Sequence, residues 1–206
     1  QPVSLKAPDF IDELSSYKAD LFVVVAFRML PEVVWSMPPM GTFNLHASLL
    51  PQYRGAAPIN HAIINGEEET GLTTFLLDKE IDTGEIIMQE KVSIDKDETA
   101  GTLHDKLMLL GNKVVVETIK IIEKGKVHSQ SQDAIIQRDK LQLKPAPKIF
   151  KDDCKIDWTK DAKSVYNFIR GLSPYPAAHT QFVSEDGETL DFKIYDVSLE
   201  ERLSDD

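Results

Sequence analysis

Apolar side chains recur every three or four residues in several stretches of this chain, a spacing that predicts helices with one buried face. The longest stretch covers residues 99–123 and ends at Lys124-Gly125, a typical helix stop. Its apolar stripe comprises Leu103, Leu107, Leu110, Val114, Thr118 and Ile121. Shorter stretches predict helices at residues 8–18, 57–65 and 161–171, and one helical turn at residues 31–35.

Continuous apolar runs predict strands instead. Residues 21–27 form an unbroken β-branched and aromatic run, which is typical of a strand buried on both faces of a parallel sheet. Further strands are predicted at residues 42–45, 73–77 and 85–93. Helices and strands in this order indicate an α/β layer fold. A doubly wound sheet normally opens with a strand, so we expect earlier strands of this domain to be missing from the chain.

The last third of the chain has a different pattern. Residues 126–150 are mixed and polar, contain Pro145 and Pro147, and are interpreted as a linker across the surface. Two apolar segments at residues 177–183 and 189–197 then predict a β-hairpin. Because a lone hairpin is marginally stable, we expect a second domain that is cut short.

Composition limits the class of protein. The 206 residues are 42% hydrophobic and 28% charged, as in ordinary globular domains. The chain has no apolar run of about 18 residues and no signal-peptide pattern at its start. The single cysteine, Cys154, excludes an internal disulfide and fits a reducing cytoplasm. The net charge of -11 argues against broad nucleic-acid binding.

Candidate chemistry begins in the predicted strand at residues 42–45. Side chains two residues apart on a strand point to the same face, so Asn44 and His46 project together. A carboxamide donor beside an imidazole can polarise one carbonyl oxygen. By itself an Asn-x-His pair at a strand end is more often structural.

Two further segments add to this pair. Ser48-Leu49-Leu50-Pro51 leaves the strand, and its leucines either line a flat apolar ligand site or plug the top of the sheet. Asp82 lies in an Asp-Thr-Gly turn, most often a plain turn because Asp bonds its own backbone. Aspartic proteases carry the same tripeptide but need two copies, and this chain has one.

Taken in order, these segments resemble the methionyl-tRNA formyltransferases, a group of 10-formyltetrahydrofolate-dependent formyltransferases. The resemblance covers nearly the whole chain. It is carried by residues 43–59, which read FNLHASLLPQYRGAAPI, by residues 66–84 with their Ile-Asp-Thr-Gly, by Lys155-Ile156-Asp157-Trp158, and by residues 169–177. One departure is Arg28, in a segment where many members have a Tyr-Gly pair.

The resemblance implies both a fold and a domain order. It implies a Rossmann-like catalytic domain at residues 1–125 that lacks its N-terminal strands, the linker at 126–150, and the start of a tRNA-binding β-barrel domain at 151–206. It also implies a bacterial-type, cytoplasmic enzyme of translation initiation, without a metal, that acts as a monomer. The resemblance implies that the chain is truncated at both ends, which leaves open whether it is active alone.

The resemblance further implies the site. Asn44, His46 and Asp82 are its catalytic residues, and the segment Ser48, Leu49, Leu50 and Pro51 contacts the folate. The formyl donor is 10-formyltetrahydrofolate and the acceptor is initiator methionyl-tRNA. In the mechanism these residues suggest, Asn44 and protonated His46 stabilise the oxyanion, while Asp82 keeps His46 charged or takes the amine proton through water.

Three alternatives remain open at this point. Formylation of an amino sugar nucleotide and of glycinamide ribonucleotide use the same residues, and a non-catalytic folate-binding fragment is a third reading. The acidic charge conflicts with a tRNA substrate. Lys144, Lys148 and Lys151 are local basic residues that either contact tRNA or form an ordinary solvated face.

Overall fold

The computed structural model describes residues 2–25, 29–125 and 127–200, and it confirms the α/β architecture. Four strands form one sheet in the order β1-β2-β3-β4. They are β1 (Phe22–Val25), β2 (Thr42–His46), β3 (Glu69–Leu76) and β4 (Ile86–Ser93). β1 and β2 are parallel, whereas β2–β3 and β3–β4 are antiparallel. The sheet is mixed because the short β3–β4 connection can make a hairpin but not a parallel crossover.

The helices match the predicted positions closely, with one addition. In the described residues the α-helices are α1 (Pro8–Ser16), α2 (Glu32–Trp35), α3 (Pro58–Ile64), α4 (Ala100–Glu123), α5 (Gln132–Asp139) and α6 (Ala162–Leu172), and a 3-10 helix spans Lys151–Cys154. The hairpin strands are β5 (Ala178–Val183) and β6 (Thr189–Ile194), which pair antiparallel. Closure of a barrel around this hairpin stays a prediction.

The main core lies between the sheet and α4. Leu103, Leu107 and Val114 of the predicted stripe are buried, and Ile122 rather than Ile121 completes it. Helix and sheet approach closely at Gly111, where a Cβ atom would lie 3.1 Å from the Leu45 side chain. A second core joins α6 to the hairpin. It contains Cys154, Ile156, Ile169, Leu172 and Ala178.

One prediction about local environment is wrong. The run at residues 21–27 was expected to be buried on both faces, yet Val23 is 41% and Val25 is 54% exposed. The reason is that β1 is an edge strand of the described sheet, while α4 packs mainly on β3 and β4. Residues 26 and 27 of that run, and Arg28 after it, lie outside the described residues.

The segment interpreted as a linker across the surface, residues 126–150, contains α5. Ser131 caps this helix by accepting a hydrogen bond from the Ala134 amide. Gln132, its first residue, is 1% exposed. Residues further on in the same segment also contact the first part of the chain, because Ala146 forms a parallel bridge with Gly55. The linker segment is therefore packed against the domain that contains the candidate site.

Candidate active site

Strand β2 carries Asn44 and His46 on the face opposite to α4. Leu45, between them, contacts the helix at Gly111, so the alternation of a strand turns its two polar neighbours the other way. Both polar side chains line one open cleft. The cleft has a volume of about 790 Å³, within the range of about 300–1,000 Å³ typical of small-molecule sites.

His46 is buried and held in one orientation. Its Nε2 donates to the Tyr53 carbonyl at 2.8 Å, and its ring packs edge-on against Phe75. Since a carbonyl oxygen can only accept, the proton of neutral His46 must be on Nε2. Nδ1 is thereby left to face Asp82, whose Oδ2 lies 3.7 Å away. This distance suits an ion pair when His46 is protonated.

Asp82 lies in the β3–β4 connection with a left-handed backbone, φ 56°. Its carboxylate is 12% exposed and accepts a hydrogen bond from the Gly55 amide, at 2.9 Å from Oδ2. Gly55 has φ +126°, a conformation that favours glycine, and an added Cβ would lie 2.3 Å from the Ala146 carbonyl oxygen. The chain therefore needs glycine where it approaches Ala146 and presents its N–H to Asp82.

The carboxamide of Asn44 has an unmet hydrogen-bonding capacity. Its Oδ1 is buried and has no partner among the described residues. A buried polar atom without a partner normally costs about 1–3 kcal/mol, so this position calls for a ligand or an ordered water. Because Asn44 lines the cleft beside His46, a ligand bound there could satisfy it.

The structure does not bring Ser48-Leu49-Leu50-Pro51 to the cleft. None of these four side chains is among the described residues that line it. Leu50 is 2% exposed and packs with Phe75 and Ile86, so this leucine plugs the sheet rather than lining an apolar surface. The Leu50–Pro51 peptide is cis. A folate contact of this segment stays a prediction, and its observed contacts are those of a support under the site.

The other walls of the cleft are largely apolar. On one side they include Val24, Leu30 and Trp35, and on the other Leu77 and Ile81. Charged residues, among them Asp78, Lys79 and Lys148, also contribute to the lining. Apart from Asn44, His46 and Asp82, the cleft thus combines an apolar surface with a polar edge, as expected for a small organic ligand.

The three candidate basic residues differ in their surroundings. Lys144 pairs with Glu67 and is not a free cation. Lys148 stacks over the Phe150 ring at 5.2 Å and lines the cleft, while Lys151 is exposed. In the described part of the chain, no group of three His, Cys, Asp or Glu side chains is arranged to hold a metal ion. No helix within the same described ranges has the length and apolar content to cross a membrane.

Sequence reasoning missed three residues that support the site. Tyr53 supplies the carbonyl that fixes His46, Gly55 supplies the amide that binds Asp82, and Gln132 bonds the turn around Asp82. The first two act through backbone atoms, which leave no side-chain signature. Gln132 follows Ser131 and precedes Asp133, and this helix-start signal could have revealed α5.

Comparison with known proteins agrees with this geometry. A family model described as "Formyl transferase" matches residues 1–119, and one described as "Formyl transferase, C-terminal domain" matches residues 148–206. The methionyl-tRNA formyltransferase of Azobacteroides pseudotrichonymphae is 60% identical over 196 residues, covering 95% of this chain and 60% of that protein. That of Flavobacterium psychrophilum is 54% identical over 205 residues, covering 100% of this chain and 63% of that protein.

Solved structures show the same fold at lower identity. The chain is similar to HypX from Aquifex aeolicus in complex with tetrahydrofolic acid, with TM-score 0.69, 22% identity, and coverage of 86% of this chain and 30% of that one. It is also similar to a 4-N formyltransferase from Francisella tularensis, with TM-score 0.71, 21% identity, and coverage of 96% and 78%. At this identity the likeness concerns the fold alone.

Proposed function

The chain belongs to the formyl transferase family, and from that premise we propose that it carries the site at which a formyl group passes from 10-formyltetrahydrofolate to the α-amino group of initiator methionyl-tRNA. The observation that carries the proposal is the meeting of Asn44, His46 and Asp82 in one cleft. The names of relatives at 54–60% identity support this acceptor. Because the chain spans 60–63% of these relatives, the activity belongs to a longer protein.

The apolar walls of the cleft suit the flat ring system of a folate. Trp35 and Leu77 offer apolar surface, and the unpartnered Asn44 Oδ1 offers an acceptor to an N–H group of a bound molecule. The HypX structure, whose fold is similar, was solved with tetrahydrofolic acid. In this proposal the segment from Ser48 to Pro51 supports the site, because Leu50 packs with Phe75, whose ring contacts that of His46.

The chemistry follows from the atoms that face the cleft. A neutral amine attacks the formyl carbon, its C–N bond forms, and the bond from that carbon to the folate nitrogen then breaks. The amine loses a proton and the folate nitrogen gains one, so the products are formylmethionyl-tRNA and tetrahydrofolate. The intermediate carries negative charge on the former formyl oxygen. A single well-placed donor to such an oxygen contributes about 3 kcal/mol.

His46 and Asn44 are the groups that can stabilise this charge. The Nε2–H of His46 is used by the Tyr53 carbonyl, so only Nδ1 is available to the reaction. Protonation of Nδ1 would place a cation beside the developing oxyanion, and this cation would form an ion pair with the Asp82 carboxylate 3.7 Å away. The Asn44 amide adds a neutral donor. In this proposal Asp82 acts as the ion-pair partner that holds the His46 cation in place.

The net charge of -11 is unfavourable for contact with tRNA phosphates, so such contact depends on local basic residues. Lys148 and Lys151 are exposed, and Lys148 is part of the cleft lining. Phosphate contacts through these residues would weaken with salt, at a slope close to one per neutralised phosphate. A salt titration of tRNA binding by the full-length protein, compared with its Lys148→Ala variant, measures this contribution. An unchanged slope would remove Lys148 from the tRNA surface.

The function is tested by offering different acceptors. A full-length protein carrying this chain is assayed with 10-formyltetrahydrofolate and either initiator methionyl-tRNA, an amino sugar nucleotide or glycinamide ribonucleotide. We expect transfer to the tRNA to exceed the others by about 100-fold in kcat/KM, or about 2.7 kcal/mol. A preference for either small acceptor would overturn the proposed substrate. Folate binding without transfer to any acceptor would overturn the proposed activity.

A further inference from the structure

Gln132 is a buried amide with every hydrogen-bonding position in use. It is 1% exposed, and it lies at the start of α5 in the segment between the two regions matched as formyl transferase. A carboxamide offers two N–H donors and an oxygen that accepts twice. In Gln132 the two donors reach two backbone carbonyls and the oxygen accepts from two guanidinium nitrogens. Such complete pairing fixes the side chain in one orientation.

Both donors of Gln132 are directed at the turn that holds Asp82. Its Nε2 donates to the carbonyl of Asp82 at 2.9 Å and to that of Gly84 at 2.8 Å. Asp82 has φ 56°, a left-handed conformation that is unfavourable for an L-residue. One part-buried and one buried hydrogen bond to this turn help to offset that cost. The backbone of Asp82 is thus held from outside the β3–β4 hairpin.

The acceptor side of Gln132 reaches the other partner of Asp82. Its Oε1 accepts from Arg54 Nε at 2.9 Å and Nη2 at 2.7 Å. Arg54 precedes Gly55, whose amide donates to the Asp82 carboxylate. One side chain therefore connects the backbone of Asp82 with the loop that binds its carboxylate. These bonds form a closed ring around Asp82.

We propose that Gln132 is a positioning residue that acts through Asp82: it fixes the carboxylate at its distance from His46 Nδ1. The inference rests on the proposed function, because it assigns Gln132 to the reaction that needs Asp82. Arg54, which donates two hydrogen bonds to Gln132, is the second positioning residue. The segment between the two matched regions is, on this account, a part of the active-site scaffold. Its role goes beyond joining one domain to the next.

The test uses Gln132→Met, which keeps the length of the side chain and removes all four hydrogen bonds. Displacement of a reacting group by about 1 Å can cost about 100-fold, so we expect kcat to fall 10- to 100-fold. The dissociation constant for tetrahydrofolate, measured by calorimetry, should change less than threefold. Gln137→Met is the matched control, since Gln137 is exposed on the same helix and should keep full activity. A loss below threefold in Gln132→Met would overturn the proposal.

A double-mutant cycle separates positioning from a general structural role. If Gln132 acts through Asp82, adding Gln132→Met to Asp82→Asn should reduce kcat no more than twofold further. Independent, multiplicative losses would contradict the proposal. Arg54→Met removes the two hydrogen bonds that Arg54 donates to Gln132, and so opens the same ring at a partly exposed residue. This variant serves as the test if Gln132→Met does not fold. It should show a smaller kcat loss with the same absence of additivity, and multiplicative behaviour there would also overturn the proposal.

The same measurements distinguish a failure of this inference from a failure of the proposed function on which it rests. If Asp82→Asn itself keeps full turnover, the proposed role of Asp82 fails. If Asp82→Asn loses turnover while Gln132→Met and Arg54→Met keep it, only the positioning role fails. Turnover is followed with the acceptor that the full-length protein uses best, so the result does not depend on which acceptor that is.

Discussion

Gly55→Ala adds a single carbon atom to the loop that binds Asp82, and it tests directly how this loop is held. Its φ is +126°, and a Cβ atom would lie 2.3 Å from the carbonyl oxygen of Ala146. That oxygen already accepts from the Ala57 amide, and the Ala146 amide donates to the Arg54 carbonyl. Gly55→Ala must therefore move backbone atoms on both sides of the contact. The amide of Gly55, which binds Asp82, moves with them.

The expected cost of Gly55→Ala is the sum of three effects. A residue with a Cβ in this conformation costs about 1–3 kcal/mol. Loss of one backbone hydrogen bond at Ala146 adds about 1 kcal/mol, and loss of the bond to the Asp82 carboxylate adds about 1.5–3 kcal/mol. We expect the free energy of unfolding to fall by about 3.5–7 kcal/mol in total. Turnover of correctly folded protein should fall at least tenfold.

Urea unfolding followed by tryptophan fluorescence measures the first quantity, and a formyl-transfer assay on the folded fraction measures the second. Gly125→Ala is the control, because Gly125 has φ +61° but an added Cβ meets no described atom within 4 Å. The free energy of unfolding of that variant should fall by about 1 kcal/mol, and its activity should be unchanged. Equal effects of the two substitutions would refute the reasoning, since the contact with Ala146 would then contribute nothing.

Three further predictions concern the surroundings of the site. Thr73→Val leaves the buried amide of Leu50 without its acceptor at 3.1 Å and should lower the free energy of unfolding by about 1–3 kcal/mol in urea; an unchanged midpoint would contradict this. Burial alone would raise the pKa of Glu67, but the hydrogen bonds from Lys144 and Tyr53 and the charge of Lys144 together outweigh it, and the net pKa is lowered. The stabilisation by Glu67 is therefore complete above the unfolded pKa and lost as pH falls through the folded pKa, so Glu67→Gln should cost about 1–2 kcal/mol at pH 7 and progressively less as the pH falls below the unfolded pKa of about 4.3. A cost that is independent of pH would refute that assignment. Burial raises the pKa of the Cys154 thiol, which is 1% exposed, so it should react with a disulfide reagent about 100-fold slower in the folded protein than in urea; equal rates would contradict its burial.

The sequence predicts most elements because local periodicity decides them. The stripe of α4 and the start of α3 at Pro58 are read directly from spacing and capping signals. Burial of β1 could not be read in this way. An apolar run predicts a strand, but exposure depends on what packs over it, and β1 is an edge strand of the described sheet.

The site shows the same division between local and tertiary information. The shared face of Asn44 and His46 follows from strand alternation, and Asp82 was identified by resemblance. The hydrogen bonds that hold them come from Tyr53, Gly55 and Gln132, which are 7 to 50 residues distant along the chain from the groups they bind. Pairings of that separation are set by tertiary folding, and a single sequence carries no signal for them. The burial of Leu50 was likewise decided by Phe75 and Ile86, not by its own neighbours.

The most direct test of the central claim is the effect of Asp82→Asn on turnover and on folate binding in the full-length protein. Asn keeps the size of the side chain but removes the charge that would pair with protonated His46. We predict that kcat falls by about 1,000-fold, within the range of about 10²–10⁴ for general acid–base groups. The dissociation constant for tetrahydrofolate should stay within threefold, and Asp186→Asn in the distant hairpin should change neither quantity. Retained turnover, or an equal loss of turnover and folate binding, would contradict the account.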